Sequence, residues 1–163
     1  MKQNSLTLVI GICIFLSCLF SASLQSKEIS HNIDFQHEGN LYILPSEMHD
    51  SLHIKIEFAE TDTEMMQGLM YRESMAENEG MLFIYSYRQE MNFWMKNTHI
   101  PLDLVFIDED GSIVDLAENT SPFSEKNINS PTLSRYVLEV NAGYCAKHYI
   151  IIGDKVKWER LED

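Results

Sequence analysis

Cysteine is scarce: of three in the chain, Cys13 and Cys18 sit near the N-terminus and Cys145 stands alone further on. No internal disulfide can then staple the domain, and no Cys/His spacing of a zinc site occurs. Basic charge is scarce too. Twelve Lys and Arg face 25 Asp and Glu, for a formal net charge of −13. Such a surface, without a basic stripe, repels phosphate backbones, which excludes nucleic acid as a partner. There is no Gly-rich phosphate loop, nucleophile elbow or metalloprotease helix. Internal repeats and low-complexity tracts are also missing. What remains is 45% hydrophobic and 10% aromatic over 163 residues, enough for one domain with a real core behind a short leader.

The leader reads as an export signal. Lys2 supplies the positive end, and Leu6 to Phe20 is an apolar run too short to span a bilayer comfortably. Ser21-Ala22-Ser23 offers small residues for cleavage near Leu24. Phe15-Leu16-Ser17-Cys18 is alternatively a loose lipoprotein signal, with Leu two rather than three residues before a Cys18 that would carry lipid. The expected product is periplasmic, or tethered to the membrane by lipid at Cys18 alone.

Residues 1–23 are thus the leader, 24–51 a tether with a hairpin (Ile33–Gln36 against Leu41–Leu44, turning at His37–Asn40), and 52–163 a single α+β domain. Leu52 to Phe58 alternates as a half-buried strand. Thr61 with Glu64 three residues later forms a capping box, so a helix starts there, with Met65, Met66, Leu69 and Met70 spaced as its buried face. Strands are expected at Met81–Tyr85, Asn92–Lys96, Leu102–Ile107, Ile113–Ala117, Arg135–Val140 and towards Trp158. A short helix follows at Ala142–Tyr149, and Asn119–Thr132 is a long polar loop. Many short strands with two brief helices predict a compact, mostly antiparallel α+β fold, barrel-like or a sandwich.

These segments resemble a known family. Gly68-Leu69-Met70-x-Arg72, Gly80-Met81-Leu82-Phe83, Phe93 to Thr98, Ile100-Pro101-Leu102-Asp103 and Arg135 to Gly143 match, in order, the pattern of the domain-of-unknown-function 192 family over about residues 52–160. The resemblance implies a small β-rich α+β domain, commonly exported or lipid-anchored in bacteria, without an established activity. Where family members commonly carry a Pro before the Phe-Trp motif, this chain has Arg88-Gln89-Glu90.

Charges inside apolar runs mark the candidate site, because burying them is costly unless they are paired. Lys96 and Asp103 flank a turn and are expected to meet there, or Asp103 to accept backbone N–H groups at the bend. With Trp94, Met95 and Asn97 they compose an apolar groove with a polar end. Glu139 sits among Tyr136, Val137, Leu138 and Val140 and needs a partner, for which Arg72 or Arg135 would serve. The leading expectation is a monomeric cell-envelope module that binds a small molecule, glycan or other envelope component, without a cofactor. An envelope hydrolase using Asp103 or Glu139 is the alternative. A further one is copper handling through the thioethers of Met65, Met66, Met70, Met75, Met81, Met91 and Met95. Core filling competes with copper for those Met, and an inert packed thiol is expected at Cys145.

Overall fold

Two apolar faces, alternating residue by residue, build the sheet of this computed structural model, which describes residues 33–46 and 50–162. The expected leader, Cys18 and the start of the tether lie outside those residues. The described strands are β1 Gly39–Leu44, β2 Leu52–Ala59, β3 Glu79–Gln89, β4 Asn92–Phe93, β5 Leu102–Ile107, β6 Ile113–Ala117, β7 Ile128–Asn129, β8 Ser134–Asn141 and β9 Lys155–Arg160. Two short helices join them, α1 Asp62–Gln67 and α2 Tyr144–Lys147. No helix among the described residues is long and apolar enough to cross a membrane.

Seven strands form one sheet in the order β6-β5-β8-β3-β2-β1-β9, antiparallel except where β2 runs parallel to β3. β4 and β7 pair separately. The outer edges of the large sheet touch: Ser112 bridges Lys155, and Val156 N–H donates to the Gly111 carbonyl at 2.8 Å. The result is a half-barrel, mostly antiparallel and α+β as the strand pattern predicts. Alternation then divides the core. Leu82, Val105, Ile107, Leu138 and Val140 fill one face, while Phe83, Leu102, Leu104, Phe106 and Val137 fill the other beneath Leu69, Met91 and Met95.

Several local expectations change. Ile33 to Glu38 is not a strand, and Gly39 starts β1 instead of turning a hairpin. A side chain at Gly39 would sit 2.6 Å from the Glu159 carbonyl and 2.7 Å from the Phe58 ring, so the glycine permits close approach of strands. The first strand therefore belongs to the sheet, between β2 and β9. The Asn92–Lys96 strand shrinks to two residues, and the Ala142–Tyr149 helix to four. The capping box forms in full, with Thr61 Oγ1 accepting the Glu64 N–H and Glu64 Oε2 accepting those of Thr61 and Glu60. Those backbone donors, Thr61's first, hold the Glu64 carboxyl below its usual range. Helix α1 itself buries no residue.

Candidate functional site

Register across the sheet sets Glu57 of β2 beside Met81 of β3, Met81 beside Glu139 of β8, and Glu139 beside Leu104 of β5. Residues directly opposite one another point to the same face. Two carboxylates thus enter an otherwise apolar face, under the segment Gly68 to Arg72. Arg72, 4% exposed, covers them, with Nη2 2.6 Å from Glu57 Oε2. The pair is a buried ion pair, and the buried Arg72 Nε has no hydrogen-bond partner among the described residues. Glu57 Oε1 accepts the Gln36 N–H at 2.8 Å.

Glu139 is 5% exposed. Burial pushes its carboxyl up to about 8, the Arg72 charge opposes the rise, and no hydrogen bond contributes. The neighbouring Tyr85 phenol is raised as well, by burial first and then by Glu139. Gly68 makes this arrangement possible. Its backbone (φ 48, ψ −134) is one that side chains rarely adopt, and an added Cβ would lie 3.1 Å from the Phe83 ring and 3.9 Å from Glu139 Oε2.

Above Glu139 opens a cavity of about 210 Å³. Phe83, Tyr85, Phe93 and Trp94 contribute aromatic surface, Met65, Met66 and Met70 contribute thioethers, and Gln67, Asn92 and Thr98 are polar. A second cavity of about 180 Å³ shares Gln67 and Gly68 with the first and is lined by Glu38, Glu57, Glu64 and Arg72 among others. A third, about 390 Å³, is larger but lies along the 117–129 loop with no buried ionisable group, so the chemistry points to the first.

The outer wall of the first cavity is apolar, and the loops next to its Met70 and Thr98 are conformationally unusual. Trp94 is 47% exposed and Met66 72%. Tyr71, Asn97 and Phe123 all adopt left-handed backbone, with φ of 65, 58 and 60. Such conformations are costly outside glycine, and they cluster at sites where the surroundings enforce them. Here the enforcement is mutual: Tyr71 N–H donates to the Asn97 carbonyl, Asn97 Nδ2 to Tyr71 Oη, and Phe123 N–H to the Thr98 carbonyl.

The sequence-predicted residues divide accordingly. Trp94 and Glu139 line the cavity, Arg72 lies behind it, and Asn97 braces its rim. Lys96 and Asp103 do not meet. Lys96 is half-exposed, 3.7 Å from Glu125 and 5.5 Å from the Trp94 ring centre. Asp103 is fully buried and accepts the Asn119 and Cys145 N–H groups at 2.8 and 3.0 Å, which gives it a structural task at the bend. It also points to the sheet face opposite Glu139, so those two carboxyls form no acid–base pair. Met95 is buried and accepts the Thr120 hydroxyl at 3.2 Å. Arg135 does not reach Glu139; its Nε donates to the Tyr85 carbonyl and its guanidinium stands over Tyr136. The helical Met face is not buried, because Met65, Met66 and Met70 line the cavity while Met81, Met91 and Met95 are core. Cys145 is buried, and burial first, then Asp103 and Glu118, push its thiol well up, as an inert residue requires.

Glu57, Gly68, Tyr85 and Phe93 escaped attention as site residues. Glu57 left one signal, a carboxylate in a strand whose next two residues, Phe58 and Ala59, are both apolar.

Two solved structures are similar to this chain. One, described as a candidate transcription regulator from Sinorhizobium meliloti 1021, shares 34% identity at a TM-score of 0.73, over 78% of this chain and 97% of that one. The other, a protein of unknown function from Novosphingobium aromaticivorans DSM 12444, shares 33% identity at a TM-score of 0.70, over 73% and 84%. No curated protein matches. The DUF192 pattern, described as uncharacterized ACR, matches residues 45–158, the whole sheet from β2 to most of β9, and the chain belongs to that family.

Proposed function

We propose that this chain is an exported binding or accessory module of the cell envelope, with the cavity above Glu139 as its ligand site. The observation that carries this reading is a buried carboxyl without a hydrogen bond among the described residues, at the floor of a cavity lined by aromatic rings and thioethers. Binding sites for small molecules are mostly apolar with a few convergent polar groups. At about 210 Å³ the cavity is below the roughly 300–1,000 Å³ typical of drug-sized ligands, so the ligand is small.

Thermal melts against small saccharides, amino acids, amines and Cu(I) test this reading. Copper is included because three thioethers share the cavity. At least one class should raise the melting temperature, since saturation at a hundred times Kd stabilises by about 2.7 kcal/mol. Trp94→Ala, at an exposed position, should weaken that response. A response identical in the variant, or none to any compound, counts against the site.

Export rests on Lys2 and the Leu6–Phe20 run. Mass spectrometry of the protein from its native host should find a start near Leu24 or a lipidated Cys18. An intact Met1 would refute export by cleavage.

A further inference from the structure

Beneath the cavity, the charges balance only while Glu139 keeps a proton. Two carboxylates, Glu57 and Glu139, are buried with one guanidinium, Arg72, which lies 2.6 Å from Glu57. Glu139 retains only a longer-range interaction with that guanidinium. No side chain lining the cavity is cationic. Once Glu139 is ionised, an anionic ligand would be repelled and a neutral one would leave the charge without a partner. A hard metal ion would find too few oxygen ligands among rings and thioethers. Aromatic faces beside a carboxylate favour an organic cation instead, through an ion pair and cation–π attraction that gain strength as water is excluded. Trp94 already attracts one cation, the Lys96 ammonium 5.5 Å from its ring centre, yet Lys96 is not among the lining residues and leaves the cavity open. The net charge of −13 draws further cations towards the surface.

Building on the reading of this cavity as a ligand site, we propose that it takes a small organic cation of the alkylammonium class, its charge set against Glu139 and its alkyl groups among Phe93, Trp94 and Met70. The charged and titratable groups near Glu139 are Arg72 after α1, Glu57 on β2 and Tyr85 on β3; β5 presents Leu104. On the rim, His99 is held by Glu73 and Lys96 by Glu125. Burial pushes the Glu139 carboxyl up to about 8, so below that pH a bound cation has to displace a proton. Affinity should then rise with pH, by about tenfold per unit until the carboxyl is ionised.

NMR titration of the exported domain tests the ligand class. The probes are tetramethylammonium, which is permanently charged, and tert-butanol, its neutral near-isostere, with the Trp94 indole N–H as local reporter. Tetramethylammonium is expected to bind at least tenfold more tightly than tert-butanol at pH 8.5, and to weaken about tenfold or more between pH 8 and pH 6. Glu139→Gln, near-isosteric, should remove that preference and its pH dependence. Trp94→Ala, read on the backbone amides of Phe93 and Gly68 because the indole is gone, should weaken the cation with its pH dependence retained, a pattern that a merely misfolded variant would not show. Equal binding of both probes at Trp94, or a cation affinity unchanged in Glu139→Gln, overturns the ligand class while sparing the cavity. If neither probe moves the Trp94 signal, the cation proposal falls. If the melts of the preceding section are also silent, the binding-site reading falls with it.

Discussion

Replacing Arg72 by Met is expected to cost about 3–5 kcal/mol of folding stability, because it leaves the buried Glu57 without its counter-charge. Arg72 is 4% exposed, and no other cation pairs with Glu57 or Glu139 among the described residues. Met fills much of the side-chain volume, so the loss is mainly electrostatic. Urea unfolding checks this through a lower midpoint at unchanged slope. The deficit should grow above about pH 8, where Glu139 loses its proton in wild type and Arg72 is its nearest counter-charge. Pairing Arg72→Met with Glu57→Leu should recover much of it, since apolar replacement of a whole buried pair is often neutral. A single variant as stable as wild type at pH 8 would mean that Arg72 contributes nothing net.

Glu139→Gln is expected to do the opposite. The folded-state carboxyl titrates at about 8 against an ordinary value of 4.5, with burial the larger cause. A group raised in this way binds its proton more tightly when folded. Its contribution is complete below the ordinary value and is lost as pH rises through the folded one, at up to about 1.4 kcal/mol per pH unit. Wild type should therefore lose stability between about pH 5 and pH 8 relative to Glu139→Gln. The two should be similar at pH 5, and the variant more stable by a few kcal/mol at pH 9. Urea midpoints across that range measure it. Parallel profiles would show that the carboxyl finds a solvated or paired state in the folded protein, and would remove its special status.

These two residues were legible because charge inside an apolar run is expensive wherever it occurs, and the run around Glu139 is short and clear. Their arrangement was not legible. Glu139 meets Met81 and Leu104 only because β8 inserts between β3 and β5, a strand order that no local pattern encodes. For the same reason the partner of Arg72 came from β2, where Glu57 looked like the solvated phase of an alternating strand. Both sides of β2 become buried at its end, since the segment from Gly68 to Arg72 crosses over it. Asp103 stood out by the same rule as Glu139, and of its two expected partners it takes the backbone N–H groups and not Lys96. Sequence gives the cost of a buried charge but not the identity of what meets it. The Met spacing was read as one buried helical face, but the helix stops at Gln67, leaving Leu69 and Met70 beyond it and only Leu69 buried. Met65, Met66 and Met70 line the cavity instead, with Met65 also packing partly against the core.

The left-handed residues around the cavity have a mechanical consequence. Tyr71, Asn97 and Phe123 belong to three separate loops, tied by hydrogen bonds that run from the first to the second and from the third to Thr98 beside it. Each unfavourable backbone conformation stores on the order of 1–2 kcal/mol, retained only while its neighbours hold. Freeing one loop removes the restraint on the next. Thr98 lines the cavity and its carbonyl accepts the Phe123 N–H, so that wall is tied to the 123 loop on one side and, through its neighbour Asn97, to Tyr71 on the other.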